Sequence, residues 1–287
     1  MAAFTSHKGA IESIMDNSTN PHNHAAFYSR AYLYDLAFRF KPVETENETL
    51  VRLFQELNGC PPRSFLDIAA GPAANAIEMH KRYGVDVCAL DYSQEMVEYG
   101  RKQAKQIGVP LRYEHGDMRN FQLPTPVDVA ALFMASTGYL LTNDDMVNHL
   151  RAVASNLTPG GIYVLEMTHP RDVLGVGSST IQEWEEQHDG CTVKVKWGMP
   201  DDRFDPIAQV RHVTASLSYT TATDSGTICD QCPQREFTYQ EMRALVELSG
   251  VFDWTATLGA WDTSIPCDNE PHAWRMMPVL RKRAYSS

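Results

Sequence analysis

Positive charge is what this sequence is short of. Lys and Arg together number 25 against 36 Asp and Glu, a formal net charge of −11. That balance disfavours a nucleic-acid substrate, because binding phosphates needs basic surface. The sequence also lacks an apolar run of roughly 18 residues or more, so no transmembrane helix is expected. Met1–Asn20 has no basic segment followed by an apolar one, which argues against a secretory signal. Six cysteines without a disulfide-like framework fit a reducing cytoplasm. No internal repeat or low-complexity segment is visible. What is present is ordinary: 43% hydrophobic and 21% charged residues, enough to bury a core.

The organising stretch is Ser64-Phe65-Leu66-Asp67-Ile68-Ala69-Ala70-Gly71-Pro72-Ala73-Ala74-Asn75-Ala76. Apolar residues of strand type pass through small residues into a helix at about Asn75. Such a handover sets backbone N–H groups against a ligand at a helix N-terminus, and small side chains permit the close approach. Val85–Asp91 reads as a second strand ending in an acid, which can bind ribose hydroxyls. A polar turn, His115-Gly116-Asp117-Met118, follows a short strand at Leu111–Glu114. Together these make a nucleoside site. A dinucleotide fingerprint needs G-x-G-x-x-G, whereas only Gly71 is glycine here, and Asp67 would repel a pyrophosphate while suiting an ammonium group.

On these residues the sequence resembles the class I S-adenosylmethionine-dependent methyltransferases, whose first motif, D/E-x-G-x-G-x-G, is matched by Asp67, Ala69, Gly71 and Ala73. Two of its three glycines are alanine. The resemblance runs from roughly Tyr28 to Arg283. It implies that Asp67 and the turn hold the methionine part, Asp91 the ribose, and Asp117 with Met118 the adenine. Cofactor contacts are expected from Tyr28, Tyr34, Asp67, Ala69, Gly71, Asp91, Tyr92, Met96, Asp117, Met118, Phe133 and Met134, with S-adenosylmethionine as cofactor and no metal.

Met1–Asn23 reads as a polar arm with a short helix near Ile11–Met15. Ala25–Phe40 is dense in aromatics and predicts one helix buried on several sides, and Tyr34-Asp35-Leu36 matches the Y-D motif of small-molecule methyltransferases. Helices are expected over Thr45–Leu57, Asn75–Arg82, Gln94–Ile107 (Ser93 as N-cap), Asp144–Leu157 with Pro159-Gly160-Gly161 as its stop, and Tyr239–Ser249. Strands are expected at Phe65, Val87, Val127–Phe133, Ile162–Met167, Trp254–Trp261 and Met276–Leu280. The alternation means a doubly wound, mostly parallel α/β sheet of seven strands, Rossmann-like. Strand-like alternation from Ile181 to Tyr219 marks an antiparallel β cap inserted after the fifth strand. The expected division is an arm and helical lid over 1–44 and a methyltransferase domain over 45–287, with the cap at 175–235.

Methyl transfer from a sulfonium needs a nucleophile held in line and water excluded. Phe133–Leu141 follows the fourth strand and resembles the S-x-x-G-(Y/H)-L segment of sugar amine N-methyltransferases of macrolide biosynthesis. Tyr139 is thereby an acceptor-site candidate. The N/D-P-P-Y signature of nucleic-acid and protein-glutamine methyltransferases is absent. Glu166 and His169 at the end of the fifth strand are candidate groups for attracting a cationic amine and taking its proton; a backbone-bonded Glu and a His in a solvated loop are the plain alternatives. Arg39 and Lys41 read as exposed charge, or as partners for a carboxylate of the cofactor or substrate. Cys229-Asp230-Gln231-Cys232 with Cys267 and His272 invites zinc, but one Cys-x-x-Cys is weak, and in a strand residues three apart face opposite ways. Glu183, Glu185, Glu186 and Asp189 beside Trp184 and Trp197 suggest either an acidic, aromatic pocket for an ammonium or a solvated hairpin face. The expected activity is methyl transfer to a small molecule, with an amine nitrogen favoured, oxygen and thiol acceptors open, and a homodimer allowed. A nicotinamide oxidoreductase and a non-catalytic protein of the same fold are the rivals.

Overall fold

The computed structural model describes residues 25–174 and 181–284. The arm, its Ile11–Met15 helix and the first residues of the expected insertion lie outside the described residues. Among those described, no helix is long and apolar enough to cross a membrane.

The aromatic segment is two helices rather than one, α1 (Ala25–Tyr28) and α2 (Ala31–Ala37). Arg30, at φ −108° and ψ 60°, breaks the chain between them, while Ser29 Oγ turns back to the Ala26 carbonyl at 2.7 Å. Next come α3 (Val43–Asn58), β1 (Ser64–Ile68), α4 (Ala74–Tyr83), β2 (Asp86–Asp91), α5 (Gln94–Gln106) and β3 (Arg112–His115). β4 (Val127–Leu132) leads through a 3₁₀ turn at Ser136–Tyr139 to α6 (Asn143–Ser155), β5 (Leu157–Leu165), β6 (Met167–Thr168) and α7 (Pro170–Leu174). A run of strands follows: β7 (Gln182–His188), β8 (Cys191–Trp197), β9 (Phe204–Asp205), β10 (Val210–Thr220) and β11 (Ser225–Arg235). The described chain closes with α8 (Tyr239–Ser249), β12 (Phe252–Leu258) and β13 (Arg275–Lys282).

The central sheet has the order β12-β13-β5-β4-β1-β2-β3, with the two-residue β6 pairing β13 off that path. β1 through β5 pair in parallel, and β13 runs antiparallel to both β5 and β12. Alternation along the strands fills both faces. Leu66, Ile68, Leu90, Ala130 and Leu132 pack with Met146, Leu150, Met242 and Leu245 of α6 and α8. Phe65, Val87, Val129 and Ala131 pack on the other face with Leu50, Leu53, Phe54 and Val97 of α3 and α5. Strands buried on both faces read as continuous apolar runs, as Val127–Leu132 does. The strand order reverses between β1 and β4, and in open α/β sheets that crevice receives the ligand.

Two boundaries differ from the expected ones. Pro159-Gly160-Gly161 does not stop α6, which ends four residues earlier, but forms the entry to β5. A Cβ at Gly161 would come within 2.9 Å of the Thr158 carbonyl, and the β4–β5 register shifts between Val127 and Val129. The fifth strand also stops at Leu165. Glu166 interrupts it, and Met167–Thr168 crosses to pair with Arg275 and Met276.

The second sheet is antiparallel, ordered β11-β10-β8-β7, with β9 on β10. Its apolar face (Cys191, Val193, Val195, Ala215, Leu217) packs against Phe27, Leu33, Leu36 and Ala37. The two short helices are therefore bound to this sheet. The acidic run lies elsewhere: Glu183 pairs with Lys194 and Lys196 at 2.5 and 3.3 Å, and Glu185 and Asp189 are exposed. Only the tryptophans of that group reach a cavity.

The turn after β1 carries local strain. Ala69, Gly71 and Ala73 all lie in the left-handed region, at φ 53°, 54° and 63°, which costs a side chain with a Cβ roughly 1–2 kcal/mol. Ala69→Gly should raise stability by about 1 kcal/mol, read as a higher urea midpoint with unchanged m.

Candidate active site

The turn after β1 is built by backbone hydrogen bonds that need small residues. The Ala70 N–H donates to the Leu90 carbonyl at 3.1 Å, the Gly71 N–H to Asp91 Oδ2 at 2.7 Å, and the Tyr113 hydroxyl to the Gly71 carbonyl. Ala73 takes the N-cap position of α4 without a side-chain acceptor. Asp67 fills that gap, accepting the Ala76 N–H at 3.3 Å near the positive end of the helix.

Asp91 ties two turns together. Its Oδ1 accepts the Ser93 N–H at 2.8 Å while Oδ2 holds Gly71. Burial pushes its carboxyl above the usual range against these backbone donors. Below it the Gly116 N–H donates to the Asp91 carbonyl at 2.9 Å. Asp117 pairs with Arg119, which reaches on to Asp145 at 3.0 Å. His149 fixes Met118: the carbonyl of Met118 only accepts, so Nδ1 carries the proton at 2.8 Å and Nε2 accepts from the Tyr163 hydroxyl at 2.7 Å. Burial lowers this imidazole to about 4, and it stays neutral.

These turns enclose a cavity of about 330 Å³, with Leu90, Met96, Met118 and Leu140 as apolar walls and Asp91, Ser93 and Asp117 as polar ones. A second cavity of about 440 Å³ opens beside it, between the central sheet and the second sheet. Tyr28, Tyr34, Ser136 and Tyr139 line both. At this junction the Tyr28 and Tyr139 hydroxyls are 2.6 Å apart, and burial pushes both phenols well above their ordinary value. Tyr34 lies over the glycine turn, 3.5 Å from where a Cβ on Gly71 would sit. Both volumes fall in the range of small-molecule sites.

Residues 65–161 match the family described as a methyltransferase domain. They run from β1 to β5, the half of the sheet that frames the first cavity. That segment is similar to a methyltransferase domain. By sequence the chain is 30% identical, over 103 residues, to a dTDP-3-amino-3,4,6-trideoxy-alpha-D-glucopyranose N,N-dimethyltransferase from Streptomyces venezuelae, a match covering 36% of this chain and 41% of that relative. The match thus spans about two fifths of the relative's length. Among solved structures it is similar to Streptomyces venezuelae DesVI, with a TM-score of 0.71, 20% identity, and 87% and 97% of the two chains covered. It is also similar to an amino pentose methyltransferase of calicheamicin biosynthesis from Micromonospora echinaspora, solved with S-adenosylmethionine bound, with a TM-score of 0.66, 19% identity, and 88% and 97% covered. At those identities the likeness is one of fold.

Within the matched segment and its surroundings, nine of the expected cofactor residues line the first cavity: Tyr28, Tyr34, Ala69, Gly71, Asp91, Tyr92, Met96, Asp117 and Met118. Three do not. Asp67 is buried as the α4 cap, Phe133 packs on Trp261 with Lys41 5.1 Å above its ring, and Met134 faces the second cavity. Tyr139 sits at the junction, but Glu166 and His169 are not cavity residues. Glu166 is buried with Oε1 on Arg275 at 2.7 Å and Oε2 on the Met134 N–H at 2.8 Å. His169 is buried, not solvated, between the Asp268 carbonyl and the Arg171 N–H at 2.9 and 3.1 Å. Lys41 is likewise not exposed charge: it donates to Asn75 Oδ1 at 3.0 Å. β11 leaves Cys229 exposed and buries Cys232, so the two cannot share an ion. Sequence reasoning missed Ser136, Leu140 and Arg119 in the first cavity and the arginines of the second. Arg119, two residues past Asp117, carried a signal in its spacing.

Burial raises the Asp67 carboxyl to about 8 against the pull of Lys41 and the Ala76 N–H. An unfolded Asp titrates near 4. Between those values the folded chain binds more protons than the unfolded one, so stability falls as pH rises through the window, by up to about 1.4 kcal/mol per pH unit. Asp67→Asn keeps an acceptor for Ala76 and should flatten that dependence, measured as urea midpoints at pH 5, 6.5 and 8.

Proposed function

We propose that this chain transfers a methyl group from S-adenosylmethionine to a small-molecule acceptor, with an amine nitrogen as the favoured nucleophile. The observation that carries the reading is the pair of joined cavities, one framed by the matched domain and the other roofed by the second sheet, meeting at Tyr28, Tyr34, Ser136 and Tyr139. The first suits the cofactor. In this reading Asp91 takes the ribose hydroxyls, Leu90, Met96, Met118 and Leu140 take the adenine, and the Gly71 turn allows close backbone approach. The nitrogen preference is supported by the curated relative, an N,N-dimethyltransferase.

S-adenosylmethionine supplies an activated methyl on sulfur. The chain's own part is to bind, orient and keep out water. α1, α2 and the β7–β11 sheet serve as lid and cap over the junction. The buried phenols of Tyr28 and Tyr139 stay protonated, so neither is a base; they accept and donate hydrogen bonds that aim the acceptor. An amine therefore enters as its free base, and the N-methylated ammonium product gives its proton to solvent once it leaves the site. Glu166 positions the junction loop through Met134 and takes no part in proton transfer.

Calorimetric titration with S-adenosylmethionine and S-adenosylhomocysteine tests the reading. Micromolar binding of both, followed by labelled methyl transfer to amines, supports it. Binding of neither refutes it and leaves a fold without the chemistry.

A further inference from the structure

The second cavity is lined by three arginines, each paired with a carboxylate. Arg211, Arg235 and Arg275 line it against two carboxylates, Asp172 and Glu236. Arg211 is neutralised from inside the cavity, its Nε on Glu236 at 2.7 Å. Arg235 is held by Glu241 and by Asn143 Oδ1 at 2.7 Å. Arg275 differs in how it is held. Its hydrogen bond to Glu166 runs through Nε alone; among the described residues Nη1 and Nη2 make no hydrogen bond, while the buried Glu46 carboxyl also feels the guanidinium's charge.

The mounting of Arg275 is rigid. Glu166 is 1% exposed and has its other oxygen on the Met134 N–H, so it cannot swing away. The Trp274 ring lies 4.4 Å from the guanidinium carbon, and the Arg275 backbone is fixed by pairing with Thr168 and by its N–H to the Gly259 carbonyl. A guanidinium anchored through Nε presents its Nη1–Nη2 edge. Two parallel N–H groups on that edge match two oxygens of one carboxylate, or of a phosphate, and they are preorganised for it.

We propose that Arg275 is the anion subsite of the second cavity, and that the acceptor carries a carboxylate or phosphate seated on its Nη1–Nη2 edge. The inference rests on the second cavity being the acceptor site. An acceptor bearing both an amine and an anionic group would place the anion at β13 and the nucleophile at the tyrosine junction. Trp184, Trp197 and Phe237 supply the apolar wall between.

The test titrates benzoate, its neutral isostere benzamide and inorganic phosphate into the free protein and into its S-adenosylhomocysteine complex, following backbone amide shifts. Benzoate should bind at least about tenfold more tightly than benzamide, since a charge-assisted bidentate pair is worth more than a neutral contact. Arg275→Lys keeps the charge beside Glu166 and removes the fork, and should erase most of that ratio; Arg275→Gln should erase all of it. Phosphate binding above benzoate, lost in the same variants, assigns the phosphate source. Equal binding of benzoate and benzamide, or Arg275→Lys binding benzoate as the parent does, overturns the proposal. A protein that ignores S-adenosylhomocysteine yet binds benzoate through Arg275 would sink the methyl-transfer reading and leave the subsite standing.

Discussion

Asp91→Ala is expected to weaken S-adenosylmethionine and S-adenosylhomocysteine binding by about 100-fold or more. The carboxylate holds the Gly71 and Ser93 N–H groups at 2.7 and 2.8 Å and lines the first cavity. Its removal takes away the ribose contacts proposed above and also the clamp between the β1 and β2 turns. Hydrogen bonds to a charged group are worth about 1.5–3 kcal/mol each, and about 1.4 kcal/mol is a factor of ten in affinity. Asp91→Asn separates the two roles. Its Oδ1 can still accept from Ser93, but its amide nitrogen sets a donor against the Gly71 N–H, so an intermediate loss is expected. Calorimetry gives the affinities and a thermal melt gives the structural cost. An Asp91→Ala protein that melts lower but binds both ligands like the parent would falsify the cofactor role and leave only the clamp.

The sheet was legible because its strands carry their burial in their own residues. Val127–Leu132 is apolar throughout since both faces are covered, and Phe65 and Leu66 alternate between the two helical layers. The first cavity was legible for a related reason: Asp91, Gly71 and the Asp117 turn each end a strand, and strand ends converge at the order reversal between β1 and β4. Asp67 was misplaced because an acid before a small-residue turn fits two partners, a ligand ammonium or bare helix N–H groups. The deciding sign was Ala73, an N-cap with no side chain to accept. Ala25–Phe40 reads as one helix in the sequence because aromatic density does not report the break at Arg30. The second cavity was illegible for a different reason. Arg211, Arg235 and Arg275 come from three strands separated along the chain, and Glu166 meets Arg275 across a gap of 109 residues. No local spacing encodes such a meeting. The acid run at Glu183 misled in the same way, since its partners Lys194 and Lys196 are supplied by β8.

Glu166→Ala should be the most destabilising single change near the site, by about 3–5 kcal/mol, the usual cost of removing one partner from a buried ion pair. Two losses coincide at a strained turn: Arg275 is left without its anchor and the Met134 N–H loses its acceptor, while Met134 and Ala135 are held at φ 55° and 54°, where residues with a Cβ are strained. The strained pair opens the loop that carries Ser136 and Tyr139 to the junction. Destabilisation should therefore come with a slower methyl-transfer step even where the protein remains folded. Glu166→Gln discriminates a positioning residue from a proton-transfer group. Its oxygen can still accept from Met134, so it should retain most of the turnover while weakening the hold on Arg275. A general base replaced by an amide would instead lose activity by orders of magnitude and shift the pH profile. Urea midpoints, single-turnover rates and their pH dependence for the two variants separate these outcomes, and a pH-profile change in Glu166→Gln would return Glu166 to the chemistry.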